Sequence, residues 1–171
     1  IIKKQYPDIP LFLIGHSLGS LTARVAVSKC GHLYNGVILL GALNTRIKLD
    51  AVMAMADTIR RASGDMCRSE KNEKIIYGYT NIKIDDPVNK FGWLTRDDEF
   101  VYKFYDDPKC NFIFTVSAFC DLIKLFMYAT DRKCVEATPK EKPILILGGE
   151  ADPIGQWGKG PRELFDVLES A

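Results

Sequence analysis

Five consecutive residues, Gly15-His16-Ser17-Leu18-Gly19, spell G-x-S-x-G. A serine in this setting does acyl-transfer chemistry when it sits on a tight turn between a strand and a helix. Its hydroxyl is a weak nucleophile by itself, so it needs a base to take its proton and an acid to orient that base. It also needs N–H donors aimed at the oxyanion that forms, and the backbone N–H of Leu18, at a helix start, is one candidate. The candidate acid is Asp152, followed by Pro153, with Glu150 as a weaker choice two residues earlier. An Asp-Pro pair is also an ordinary solvated turn, so Asp152 has a plain structural reading beside the catalytic one. In the chain order Ser, then acid, then His, the base follows Asp152. Residues 153–171 contain no histidine, and the chain has only His16 and His32. His16 adjoins Ser17, and neighbouring side chains point in different directions. It reads as a partly buried histidine under the turn. His32 lies beyond the far end of the helix that follows Ser17 and reads as a surface residue. Neither is assigned as the base.

The elements that must carry these residues are legible from pattern. Leu11-Phe12-Leu13-Ile14, bounded by Pro10 and Gly15, reads as a buried parallel strand. A helix is expected from about residue 18 to residue 30, with Gly31 as its C′ stop. Gly15 and Gly19 are expected to remove side chains where strand and helix pass closest. Val37-Ile38-Leu39-Leu40, ending at Gly41, reads as a second buried strand. Strand, helix and strand within about thirty residues make a βαβ unit, so the two strands should be parallel. Residues 143–149 give a third strand, whose end carries Glu150 and Asp152, and residues 161–168 an amphipathic helix with Pro161 in its first turn. The stretch between the second and third strands is too long for an ordinary crossover. Within it, residues 48–63 have helical periodicity. Thr95-Arg96-Asp97-Asp98 has the form of a capping box ahead of a helix through about Tyr105. Residues 112–128 are apolar and aromatic. The expected fold class is therefore α/β: three parallel strands with flanking helices and a helical cap insertion. Residues 1–45 and 142–171 form the core, and residues 46–141 a lid over the carboxyl ends of the strands, where α/β ligand sites lie.

Composition narrows the function classes. The net charge of the 171 residues is +1, with no basic run, which speaks against nucleic acid as a partner. No apolar run approaches the roughly 20 residues of a membrane span. The five cysteines are odd in number and widely spaced, with no C-x-x-C, so neither a disulfide framework nor a zinc site is expected. Free thiols suit a reducing, cytoplasmic compartment. No metal or organic cofactor is called for by serine acyl transfer. The first residue is Ile1, and Ile1–Pro7 looks like the end of an amphipathic helix. A second oxyanion donor normally comes from a loop early in such a domain, before Ile1 here; together with the absent base, this suggests the middle of a larger domain, without its first strands and without a last strand and histidine.

The stretches PLFLIGHSLGS, NGVILLGA, FGWLTRDDEFVYKFYDDPKCNFIFT and PILILGGEADPIGQWGKG resemble the α/β-hydrolase superfamily. Within it they are similar to the bacterial branch of the monoacylglycerol lipase, lysophospholipase and serine aminopeptidase (S33-like) group. The resemblance implies a partial α/β-hydrolase fold, with Ser17 as nucleophile, Asp152 as acid and Leu18 N–H as one oxyanion donor. It implies a serine hydrolase that cleaves a small carboxylic ester through an acyl-enzyme, without a cofactor. A lipid-like ester, a monoacylglycerol or lysophospholipid, is favoured if Phe112, Phe114, Phe119, Phe126 and Met127 line an acyl-chain tunnel, although such a stripe also reads as cap core. An aminopeptidase, a general carboxylesterase and a non-catalytic binding protein on the same scaffold remain open alternatives. The 171-residue piece is expected to be inactive alone.

Overall fold

The computed structural model describes residues 1–44 and 49–171. The expected boundary between core and cap, at residues 45 and 46, lies outside the described residues. Two compact units are distinguished, Ile1–Arg46 with Leu125–Ala171, and Ile47–Lys124.

In the first unit a short helix, α1 (Ile2–Gln5), precedes β1 (Phe12–His16). Asn35 fixes where β1 begins: its side-chain Oδ1 accepts from Leu11 N at 2.8 Å, and its backbone N–H donates to Leu11 O at 2.7 Å. Helix α2 (Leu18–Cys30) and a 3₁₀ turn (Gly31–Leu33) lead to β2 (Gly36–Leu40). After the second unit, the chain completes α6 (Val116–Thr130) and forms α7 (Arg132–Glu136), β3 (Ile144–Leu147) and α8 (Lys159–Glu169). The sheet order is β1-β2-β3, all parallel, with Ile14 opposite Ile38 and Ile38 opposite Leu145. This is the three-stranded parallel sheet expected from the sequence, and β2 is its middle strand.

The alternate residues Leu13, Val37, Leu39, Ile144 and Ile146 meet Ala23 and Val27 of α2 and Leu164 and Leu168 of α8 in one core. The sequence reading of strands buried on both faces is corrected on the other side. Phe12 is 57% exposed and Ile14 66% exposed, and Leu40, Leu145 and Leu147 are exposed too. The helices of this unit cover one face only, so the continuous apolar runs are half buried. Gly31 also differs from expectation. It stays right-handed, at φ −55°, and runs on into the 3₁₀ turn. Its lack of a side chain serves packing instead, since a Cβ there would lie 2.5 Å from Pro139 Cγ.

In the second unit α3 (Leu49–Ser63), α4 (Glu70–Tyr77), α5 (Asp98–Asp106) and the first part of α6 are joined by turns. Ala56, Val101, Val116, Phe119 and Cys120 are buried. The ring of Phe91 makes edge contacts with Tyr77, Phe104 and Tyr105. Helix α5 starts two residues later than a capping box on Thr95 predicts. Asp97 is the N-cap and accepts from Phe100 N at 3.2 Å, while Thr95 Oγ1 accepts from Asp97 N. An aspartate one turn ahead of Phe100 out-competes the threonine because its carboxylate also favours the positive end of the helix. No helix among the described residues is long and apolar enough to cross a membrane. All five cysteines are free thiols.

Candidate active site

Ser17 is the residue between β1 and α2. Its N–H donates to Leu40 O at 2.9 Å, which carries the β1–β2 ladder one residue past the strand. Its C=O then accepts from Ser20 N at 2.8 Å, which begins the helix. Strand pairing on one side and helix on the other force Ser17 to φ 54° and ψ −119°. For a residue with a Cβ such a conformation costs on the order of 1–3 kcal/mol. The side chain is exposed and makes no capping hydrogen bond to the helix it precedes. Leu18 is the first helical residue. Its N–H has no acceptor within the helix and lies at the positive end of the helix dipole.

The two glycines of the motif behave differently. A Cβ on Gly15 would lie 2.3 Å from Gly19 O and 2.7 Å from Ala23 Cβ, whereas a Cβ on Gly19 meets no heavy atom within 4 Å. The close approach of strand and helix is therefore the work of Gly15 alone, which corrects the expectation for Gly19. Gly15→Ala is expected to cost about 1–3 kcal/mol, because backbone must move. Gly19→Ala should fall within about 1 kcal/mol of the parent, on the stabilising side, since alanine is the better helix former. Urea denaturation of the two variants measures the contrast, and equal destabilisation would contradict this packing.

Asp152 follows β3 by five residues, in a turn. Its Oδ1 accepts from Ile154 N at 2.9 Å, and its C=O accepts from Trp157 N at 2.8 Å. Oδ2 is packed on Gly155, where a Cβ would come within 3.1 Å of it. One carboxylate oxygen is thus tied to the backbone, and the other stands against a residue that offers no side chain. Gln156, Trp157 and Gly158 all have positive φ, which curls the chain sharply back before α8. Because β1 and β3 run parallel on either side of β2, Ser17 and Asp152 leave the same carboxyl edge of the sheet. Their strands are two inter-strand spacings apart, about 10 Å. Glu150 is exposed in the same turn.

The histidines are not brought into this arrangement as a base. His16 is exposed, not partly buried beneath the turn as its sequence context suggests, and a Cβ on Gly41 would lie 3.7 Å from its ring. His32 is exposed in the 3₁₀ turn beyond the C-terminal end of α2. That places it a full helix length, about 20 Å along the axis, from the Ser17 end. The proposed aromatic tunnel divides. Phe119 is wholly buried in the second unit, and Phe126 packs in the first on a cluster of Leu21, Leu43 and Ala129. Arg24 is a buried charge that the sequence pattern does not single out. Its signal was a charge among Leu21, Val25 and Val27 on the packed side of α2, and it is only 4% exposed.

Three comparisons bear on this geometry. The family model described as Serine aminopeptidase, S33, matches residues 1–171. A monoglyceride lipase homolog of monkeypox virus is 27% identical over 154 residues, 90% of this chain and 48% of the viral protein. Among solved structures, a thermostable carboxyl esterase from Bacillus coagulans, in complex with glycerol, superposes with a TM-score of 0.88 at 23% identity, over 99% of this chain and 55% of the esterase. A lipase in its open form gives 0.81 at 22% identity, over 97% of this chain and 55% of the lipase. The chain spans about half the length of the relatives it matches.

Proposed function

We propose, for a chain that belongs to the serine aminopeptidase S33 family of α/β hydrolases, that Ser17 is the nucleophile of a carboxylic ester hydrolase. Asp152 is its orienting acid, and Leu18 N–H is one oxyanion donor. The observation that carries the reading is the strained backbone of Ser17, held at φ 54° between β1 and α2 with its hydroxyl exposed and structurally unused. In the intact enzyme, Ser17 Oγ adds to the ester carbonyl as a histidine takes its proton, and the alkoxide leaves with that proton. Water then repeats the sequence on the acyl-enzyme and releases the acid. The histidine and the second oxyanion donor come from polypeptide outside these 171 residues. Residues 46–141 serve as the lid.

A lipid-like acyl ester, a monoacylglycerol or lysophospholipid, is the preferred substrate. Support for it comes from the kinship with a monoglyceride lipase homolog and with a carboxyl esterase and a lipase. The aromatic stripe adds little, because two of its members are occupied in packing. The test compares the 171-residue chain with a polypeptide extended to the length of its relatives. The short chain should leave p-nitrophenyl butyrate at its buffer rate. The extended one should hydrolyse it, prefer a monoacylglycerol, and spare leucine p-nitroanilide. Turnover by the short chain that Ser17→Ala removes would overturn the assignment of the base. Cleavage of the anilide over the esters would make the protein an aminopeptidase.

A further inference from the structure

Arg24 lies in α2, buried in the interior of the sheet-bearing unit. Burial draws its pKa down to about 10, with Cys134 working against that shift, so the guanidinium keeps its charge at neutral pH. No carboxylate among the described residues pairs with it. A buried charge without a counter-charge is costly, and an apolar side chain of similar bulk would avoid that cost. What such a side chain lacks is a donor. Arg24 uses one: its Nη1 donates to Leu43 O at 3.0 Å.

Leu43 lies just past the end of the sheet. Gly41 N still donates to Leu147 O at 2.8 Å, but among the described residues no backbone hydrogen bond reaches residues 42–44. Arg24 ties this segment to α2. The segment meets the loop of Asp152 by two routes. Leu43 shares a cluster with Leu21 and Ala129, and Ile154 packs on that cluster. Asn44 N lies against Gly160, where a Cβ would come within 3.5 Å of it, and Gly160 N donates to Gly155 O at 2.9 Å. Ile154 and Gly155 are the two residues that hold the carboxylate: Ile154 N donates to Oδ1 at 2.9 Å, and Oδ2 stands against Gly155. We propose that Arg24 is a positioning residue for Asp152, fixing residues 42–44 through Leu43 O and, through them, Ile154 and Gly155. The role rests on the reading of Asp152 as the orienting acid.

The test uses hydrolysis of p-nitrophenyl butyrate by the extended polypeptide. Arg24→Met keeps the bulk and removes the donor. It should lower kcat roughly tenfold and leave KM within about twofold, the effect of a carboxylate displaced by a few tenths of an ångström. Arg24→Lys, which can still donate to Leu43 O, should recover kcat to within about threefold of the parent. In an Asp152→Asn background, Arg24→Met should cost less than about twofold more, because the two changes act on one group. An unchanged kcat in Arg24→Met, or a full second loss in the Asp152→Asn background, would overturn the proposal. The link is also read without turnover, by amide exchange of the 171-residue chain. In Arg24→Met the Ile154 N–H should exchange roughly tenfold faster while Gly41 N–H stays within about twofold. Equal acceleration of both, or of neither, refutes the link. Should Arg24→Met fail to fold, Ile154→Ala breaks the same route from its other end, and kcat unchanged in that variant refutes the proposal. Asp152→Asn at full activity is a different failure, that of the acid reading, and the Ile154 amide then still decides whether Arg24 holds the loop.

Discussion

Ser17→Ala in the extended polypeptide should lower kcat for p-nitrophenyl butyrate by on the order of 10⁶-fold, with the residual rate coming from binding and oxyanion donors alone. The same position should show the opposite sign in stability. Ser17 holds φ 54°, gives the helix no capping bond and leaves its hydroxyl in solvent. Glycine takes that backbone conformation without strain, so Ser17→Gly is expected to stabilise the 171-residue chain by about 1–2 kcal/mol in urea denaturation. A residue kept for the fold would lose stability on that change. Activity lost together with stability gained is the signature of a serine held in a strained turn for its hydroxyl. Turnover undiminished in Ser17→Ala would remove the nucleophile assignment outright.

The strand-turn-helix around Ser17 was readable because each part leaves its own local mark. An apolar run stops at Gly15, a helical pattern starts at Leu18, and only a sharp turn fits between them. The three parallel strands followed from the same logic, since Leu11–Ile14, Val37–Leu40 and Ile144–Leu147 are continuous apolar runs and the first two are linked by one helix. Periodicity says nothing about which glycine carries a close approach. That is a property of the distance between β1 and α2, which puts Gly15 against Gly19 O and leaves Gly19 open. Nor does it say how many faces of the sheet are covered. Phe12 and Ile14 look like core residues in sequence, yet they lie on the side away from α2 and α8.

Charge within a helix is a harder case. Arg24 falls three residues from Leu21 and three from Val27, on the packed face, and a guanidinium there reads as an error in the amphipathic pattern. Its meaning appears only when the segment after β2 is seen to pass close enough for Leu43 O to accept from it. The aromatic stretch 112–128 is equally hard to read, for a related reason. Helical spacing shows which residues share a face, not what that face packs on, and Phe119 and Phe126 are both taken up by packing.

Asp152→Asn in the extended polypeptide should reduce kcat by about 10⁴-fold with little change in KM. The turn explains why the effect should be so specific. Oδ1 is satisfied by Ile154 N, so an asparagine can keep that bond with its own carbonyl oxygen and preserve the loop. Its amide nitrogen then replaces Oδ2, a donor where the imidazole Nδ1–H requires an acceptor, and the histidine is held in the wrong tautomer. Glu150→Gln, exposed in the same turn, should change kcat less than about twofold, a gap of more than about three orders of magnitude from Asp152→Asn. Gly155→Ala lies between them. A Cβ 3.1 Å from Oδ2 must push the carboxylate by a few tenths of an ångström. A displacement of about 1 Å can cost 10²-fold, so this smaller shift should cost roughly tenfold in kcat with the fold intact. The measurement is steady-state hydrolysis of p-nitrophenyl butyrate by the three variants, each checked for folding by circular dichroism. The expected order of loss is Asp152→Asn, then Gly155→Ala, then Glu150→Gln. If Glu150→Gln proved the most damaging, the acid would be Glu150, and Asp152 would revert to an ordinary turn residue capped by its own loop.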